Sequence, residues 1–238
     1  MTSELIPDVV PFFENWKGLP RQRAAVQQFW EKVPISLKRR DSDWYETWKA
    51  DGKQEQPRTR TNPLQVPYFS QRDSGTEHAL RMCFSSSCAM MLEALRPGTL
   101  QGPNGDDIYL GRVFRYGDTT NAEAQLKALG DFGVRAQLVQ NANWGSLERQ
   151  IARGIPVPIG ILHKGPVSAP SGGGHWITAI GHTPDAIIVH DPFGKLDLVG
   201  GAYLNNWGPR LSYSRKHLGP RWMVEGPSTG WAIAATAP

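Results

Sequence analysis

The apolar pattern of this chain switches from helical spacing to short strand-like runs about two thirds of the way along, and that switch constrains the fold most. A run of strong helix formers begins at residue 83 or 85 and continues to Leu95, where Pro97 and Gly98 close it. Residues 121–130 read as a second helix with a glycine stop, and 146–153 as a third, ended by Gly154. Residues 133–139 are strand-like. From residue 157 the chain is mostly strand: 157–162, 176–182 and 186–190, the last two joined by a Thr-Pro-Asp turn that reads as a hairpin. Helices early and an antiparallel sheet late predict an α+β domain. Trp222 and Trp231 in the Trp-rich tail are expected to anchor its packing.

Upstream, Val26, Phe29 and Trp30 share one helical face and 44–49 forms a second short helix, so 1–52 is expected to be a helical N-terminal segment. The polar, Pro-bearing stretch that follows places a linker at 53–63. The main domain then covers 64–238.

Composition bounds the function. With 238 residues, 39% hydrophobic and 20% charged, the chain suits a globular domain with a small appendage. No apolar run reaches membrane-spanning length, so stable membrane insertion is not expected. Met1-Thr2-Ser3-Glu4-Leu5 shows no basic region followed by an apolar core. No secretory signal is expected, and the protein should be made in the cytoplasm and act after release. The net charge of +4 favours an acidic partner, but Lys38-Arg39-Arg40 and Arg58-Thr59-Arg60 read as solvated faces. Base-stacking and groove-reading motifs are absent, so nucleic acid is not an expected partner.

Cys83 and Cys88 are the only cysteines. At a five-residue offset on one helix they point about 140° apart, which excludes a disulfide unless the helix breaks. A lone Cys-x4-Cys pair is also a poor zinc site. One potential nucleophile and one core thiol remain. Cys83 opens its helix, where free backbone N–H groups and the positive end of the helix dipole favour thiolate over thiol. Downstream come Gly172-Gly173-Gly174-His175-Trp176 and Val189-His190-Asp191-Pro192. His175 would begin a strand, and Asp191 on the next strand of the hairpin would sit beside its ring. The amide of Gln71 could face a developing oxyanion together with the Cys83 N–H. Nucleophile, base, orienter and oxyanion donor thus occur in one chain order.

The segments Val66-Pro67-Tyr68-Phe69-Ser70-Gln71, Cys83-x4-Cys88-Ala89-Met90, His175-Trp176 and Asp191-Pro192-x-Gly194 resemble the papain-fold cysteine peptidases related to the bacteriocin leader (double-glycine) peptidases. More narrowly, with Asp106-Asp107-x-Tyr109-Leu110 and Tyr116-Gly117-Asp118-Thr119-Thr120, they are similar to stand-alone versions in phage and prophage lysis proteins. The resemblance covers about residues 64–235. It implies a papain-like fold and a peptide-bond substrate, with catalytic Cys83 (nucleophile), His175 (base and acid), Asp191 (orienter) and Gln71 (oxyanion hole). It implies no cofactor and no metal. In a lysis protein the bond would lie in peptidoglycan, and the basic balance fits an anionic wall. Family members often carry Cys-Gly-Pro or Cys-Asn-x-Thr where this chain has Cys83-Phe84-Ser85-Ser86, a difference that bears on subsite shape.

Other readings use the same residues. A transglutaminase or deamidase would share Cys, His and Asp but pass the acyl group to an amine or release ammonia. A transporter-associated leader peptidase would normally be fused to membrane spans and an ATPase. A metal amidase would draw on His175, His182, His190 and Asp191. A degenerate wall-binding or structural phage protein would keep the fold and cut nothing.

Overall fold

A computed structural model of the chain describes residues 62–236. The expected helical segment 1–52 and nearly all of the linker at 53–63 lie outside the described residues. Within them three α-helices come first and an antiparallel sheet follows, with two more helices set between its strands, an α+β layout as expected.

Helix α1 (Cys83–Leu95) is buried along most of its length. Its apolar residues Cys88 to Leu92 enter the core, and its three serines are buried as well. Buried hydroxyls as a rule take partners; Ser85 and Ser86 do, while the Ser87 Oγ has none among the described residues. Ser85 pairs with Thr119 at 2.7 Å and accepts from the Gln125 amide at 2.8 Å, while Ser86 donates to Asp106 at 2.6 Å. These bonds tie α1 to helix α2 (Gly105–Val113) and helix α3 (Ala122–Asp131). The apolar period does not mark α2, because Gly111 and two adjacent aspartates weaken it. Helix α3 falls where expected, capped by the Asn121 side chain on the Ala124 N–H.

The sheet has six strands, in the spatial order Ala136–Ala142 (β1), Gly230–Ala235 (β8), Val157–Ile161 (β2), His175–His182 (β3), Ala186–His190 (β4) and Leu211–Ser214 (β7), every neighbouring pair antiparallel. Strand β1 (Ala136–Ala142) begins three residues later than expected, because Gly133 takes a positive φ of 76° that ends the α3 turn. Helix α4 (Trp144–Ala152) starts two residues earlier than expected. Asn143 and Ser146 form a reciprocal capping box there. Strands β2 (Val157–Ile161), β3 (His175–His182) and β4 (Ala186–His190) match the expected runs. Strand β3 is buried on both faces, covered by α1 and α4. Thr178 donates to the Ser87 carbonyl at 3.1 Å and fixes α1 against it.

The tail departs from the expected run of strands. A two-stranded ribbon, β5 (Lys195–Leu196) with β6 (Tyr203–Asn205), is followed by β7 (Leu211–Ser214), helix α5 (Arg215–Trp222) and β8 (Gly230–Ala235). Strand β8 inserts between β1 and β2. Trp222 anchors the core at 2% exposure, and its indole donates to the Trp231 carbonyl at 3.0 Å. It fits because Gly230 has no Cβ, which would stand 2.5 Å from the ring. Trp231 does not anchor the core. Strand parity turns it outward while Ala232 packs inward, and it is 49% exposed.

Candidate active site

Cys83 occupies the first turn of α1, with Met82 as an N-cap that offers no side-chain acceptor. The N-terminal amides of α1 are therefore not consumed by a cap side chain. Cys83 is partly exposed, whereas Cys88 is buried beside Tyr109 with its thiol pushed well up by burial. The two cysteines thus divide into a reachable thiol and a core thiol.

His175 begins β3 directly after the three glycines. Its Nε2 bonds Asp191 Oδ1 at 2.8 Å, and both side chains are buried. With Nε2 committed to the carboxylate, Nδ1 is the nitrogen left for the Cys83 thiol, whose ionised form the nearby His175 charge favours. Asp191 lies one residue beyond β4, not on the strand itself, because the ladder to β3 ends at the Thr178–His190 pair.

The charges support each other. Burial alone would push the Cys83 thiol up, but the adjoining imidazolium, its hydrogen bond and the Trp176 backbone outweigh that and hold it below the ordinary thiol range. Burial likewise disfavours the His175 cation. The Asp191 charge and the thiolate override it and raise the imidazole to about 10. Both shifts favour a thiolate–imidazolium pair.

Residues that sequence reasoning missed complete the cradle. The Tyr213 hydroxyl donates to Asp191 Oδ2 at 3.2 Å and accepts the Leu196 N–H at 2.8 Å. The Phe193 N–H donates to Oδ1 at 3.0 Å, and Tyr68 donates to the Asp191 carbonyl at 3.1 Å. Tyr203 meets the His175 ring edge-on at 5.8 Å and Phe193 does so at 6.5 Å. This apolar cover screens the His175–Asp191 bond from water. Tyr68 lies in the Val66–Gln71 segment and Phe193 is the open position of Asp191-Pro192-x-Gly194. Tyr203 and Tyr213 come from segments without a sequence signature.

Gln71 is buried near this cluster. Its N–H bonds the Pro192 carbonyl at 3.0 Å, and its side-chain amide donates to the Ala79 carbonyl at 2.8 Å. The side-chain Oε1 has no protein partner, and Gln71 is not among the residues lining the groove. The structure thus uses part of this amide to hold the loop that leads into α1.

A groove of about 590 Å³ opens over Cys83 and His175. Gly172, Gly173 and Gly174 form one wall. Phe84 stacks flat on Trp176, centroids 3.8 Å apart, and both rings border the groove. Phe84, the departure noted in the sequence, is therefore part of the groove wall.

The metal-amidase set does not assemble. His190 donates Nε2–H to the Val66 carbonyl at 3.0 Å and accepts the Arg210 N–H on Nδ1 at 3.0 Å, so both nitrogens are taken by backbone. His182 lies at the far end of β3 from His175.

No protein-family model matches the chain, and no curated protein matches it. Among solved structures it is similar to a protein described as a C39-like peptidase from Bacillus anthracis, at 14% identity and a TM-score of 0.49, covering 73% of this chain and 96% of that one. It is also similar to a double glycine motif protease from an AMS/PCAT transporter, at 16% identity and a TM-score of 0.43, covering 76% and 96%. A third is a cysteine protease of Carica candamarcensis, at 14% identity and a TM-score of 0.36, covering 71% and 92%.

Proposed function

We propose that the protein is a metal-independent cysteine peptidase or amidase that cuts peptide bonds, with bacterial peptidoglycan as its substrate in the manner of a phage endolysin. The observation that carries the chemistry is the buried His175–Asp191 bond with Cys83 and His175 lining one groove. The Cys83 thiolate attacks the scissile carbonyl carbon, and the oxyanion takes the N–H donors at the start of α1. The Gln71 amide serves as a second donor only once it leaves the Ala79 carbonyl and turns into the groove, which it does not line as placed. The His175 imidazolium gives its proton to the departing amine, leaving a thioester on Cys83. His175, now neutral, takes a proton from water as the water attacks that thioester, and thiolate and imidazolium are restored. Asp191 holds the ring and stabilises its charged form.

The cell-wall substrate is supported by the basic composition and by the motif resemblance. Purified sacculi incubated with the protein should release fragments with new amine termini inside stem peptides or cross-links, read by mass spectrometry. Cys83→Ala should release none. New reducing sugar ends would contradict the assignment. Uncut sacculi alongside cut soluble peptides would retain the peptidase and remove the wall substrate.

A further inference from the structure

We infer that the groove selects a substrate side chain ending in a cation, of lysine or arginine type, and that Glu225 is the residue that reads it. This rests on the peptidase reading of the same groove and adds a charge specificity to it. Besides the Cys83–His175 pair, three charged side chains line the groove: Arg81, Arg221 and Glu225. Arg81 is already neutralised, with one guanidinium nitrogen 2.7 Å from each oxygen of Asp118. Arg221 is buried and spends its guanidinium on the carbonyls of Leu198, Leu162, Lys164 and Gly165, at 2.7 to 3.2 Å. Glu225 is exposed and, among the described residues, has neither a hydrogen bond nor an ion pair. It is the groove charge left open to a ligand.

The surface around it suits the rest of such a side chain. Val224 and Trp231 line the same groove at 51% and 49% exposure. An indole face attracts a cation through its quadrupole, and apolar surface accepts the methylene stem of lysine or arginine. A neutral side chain would cover the Glu225 carboxylate without pairing it, and an anionic one would meet like charge.

The test uses acetylated tetrapeptide amides that carry lysine, norleucine or glutamate at one position, walked through all four. Binding is titrated by NMR against Cys83→Ala and against Cys83→Ala combined with Glu225→Gln. Cleavage of the same peptides is followed with wild type and Glu225→Gln. At one position lysine should be preferred over norleucine by about five- to tenfold in affinity and in kcat/KM. Glu225→Gln should remove that preference, and Glu225→Lys should turn it toward glutamate. Equal binding, no binding, a preference for glutamate, or a lysine preference that survives Glu225→Gln would overturn the inference. If lysine is preferred in binding but no peptide is cut, the recognition stands and the peptidase reading falls.

Discussion

Asp191 takes two donors on one carboxylate oxygen and a third on the other, from His175, the Phe193 N–H and Tyr213. That arrangement fixes which His175 nitrogen faces the thiol. It also places a negative charge where it favours the imidazolium. Asp191→Asn keeps the size and removes the charge, so the His175 cation loses its main support. We predict at least a ~100-fold fall in kcat/KM. The alkaline limb, set by His175 near pH 10, should move to lower pH. Steady-state kinetics between pH 5 and 11 reads both, and an unmoved alkaline limb would argue against this role. Cys83, His175 and Asp191 were legible in sequence because each follows a local signal: a helix start, a glycine run, a strand end. Tyr213 and Tyr203 were not, since only the pairing of distant strands brings them to the site. Glu225 was missed for the same reason: the groove that gives it meaning exists only after β8 inserts beside β2.

At the scale of elements, the site depends on a tight approach of the 206–210 loop to the end of β4. Gly208 accepts the Asp191 N–H at its carbonyl, 2.9 Å away. A Cβ on Gly208 would collide with the Asp191 carbonyl oxygen and come within 2.5 Å of the Tyr68 hydroxyl. Gly208→Ala must push the loop away and loosen Asp191. The expected cost is about 1–3 kcal/mol of stability, together with a loss of kcat/KM, read by thermal melts and kinetics on the same preparation. Unchanged activity would show that this contact does not position the carboxylate. The regular elements were visible in sequence wherever period and cap agreed, as in α3 with Asn121. They were hidden where tertiary packing overrode local pattern. Helix α2 is held by the buried Tyr109 hydroxyl on the Gln125 carbonyl at 3.0 Å and by the Ser86–Asp106 bond. Trp231 shows the converse: a residue whose chemistry suggests a core place is turned outward by the register of its strand.

For the whole molecule, buried ionisable groups set how stability follows pH. Burial pushes Asp106 up to about 7, with its Ser86 bond opposing and the Asp107 and Asp73 charges adding to the rise. A carboxyl raised in the fold holds its proton longer there than in the unfolded chain. It therefore costs stability as pH climbs from about 4 to 7, up to about 4 kcal/mol, and the full cost remains above 7. His163 and His190 act oppositely. Burial lowers each to about 4, so the fold gains from them as pH rises from 4 to 6.5. Wild type should therefore become more stable from pH 4 to 6.5, with Asp106 blunting the gain. Asp106→Asn should steepen that rise and melt higher than wild type at pH 7.5, the two curves drawing together near pH 4. Melting curves across this range read the difference, and parallel curves would contradict the raised Asp106.

The proposed chemistry therefore turns on one charge pair, the Cys83 thiolate and the His175 imidazolium above α1. The most direct measurement is the rate of iodoacetamide alkylation as a function of pH, with peptide mapping to locate the adduct. Modification should fall on Cys83 and spare Cys88, with a midpoint clearly below the ordinary thiol range near 8.5. In His175→Ala the midpoint should rise toward that range. A wild-type midpoint at or above the ordinary value, or one that His175→Ala leaves in place, would contradict the account.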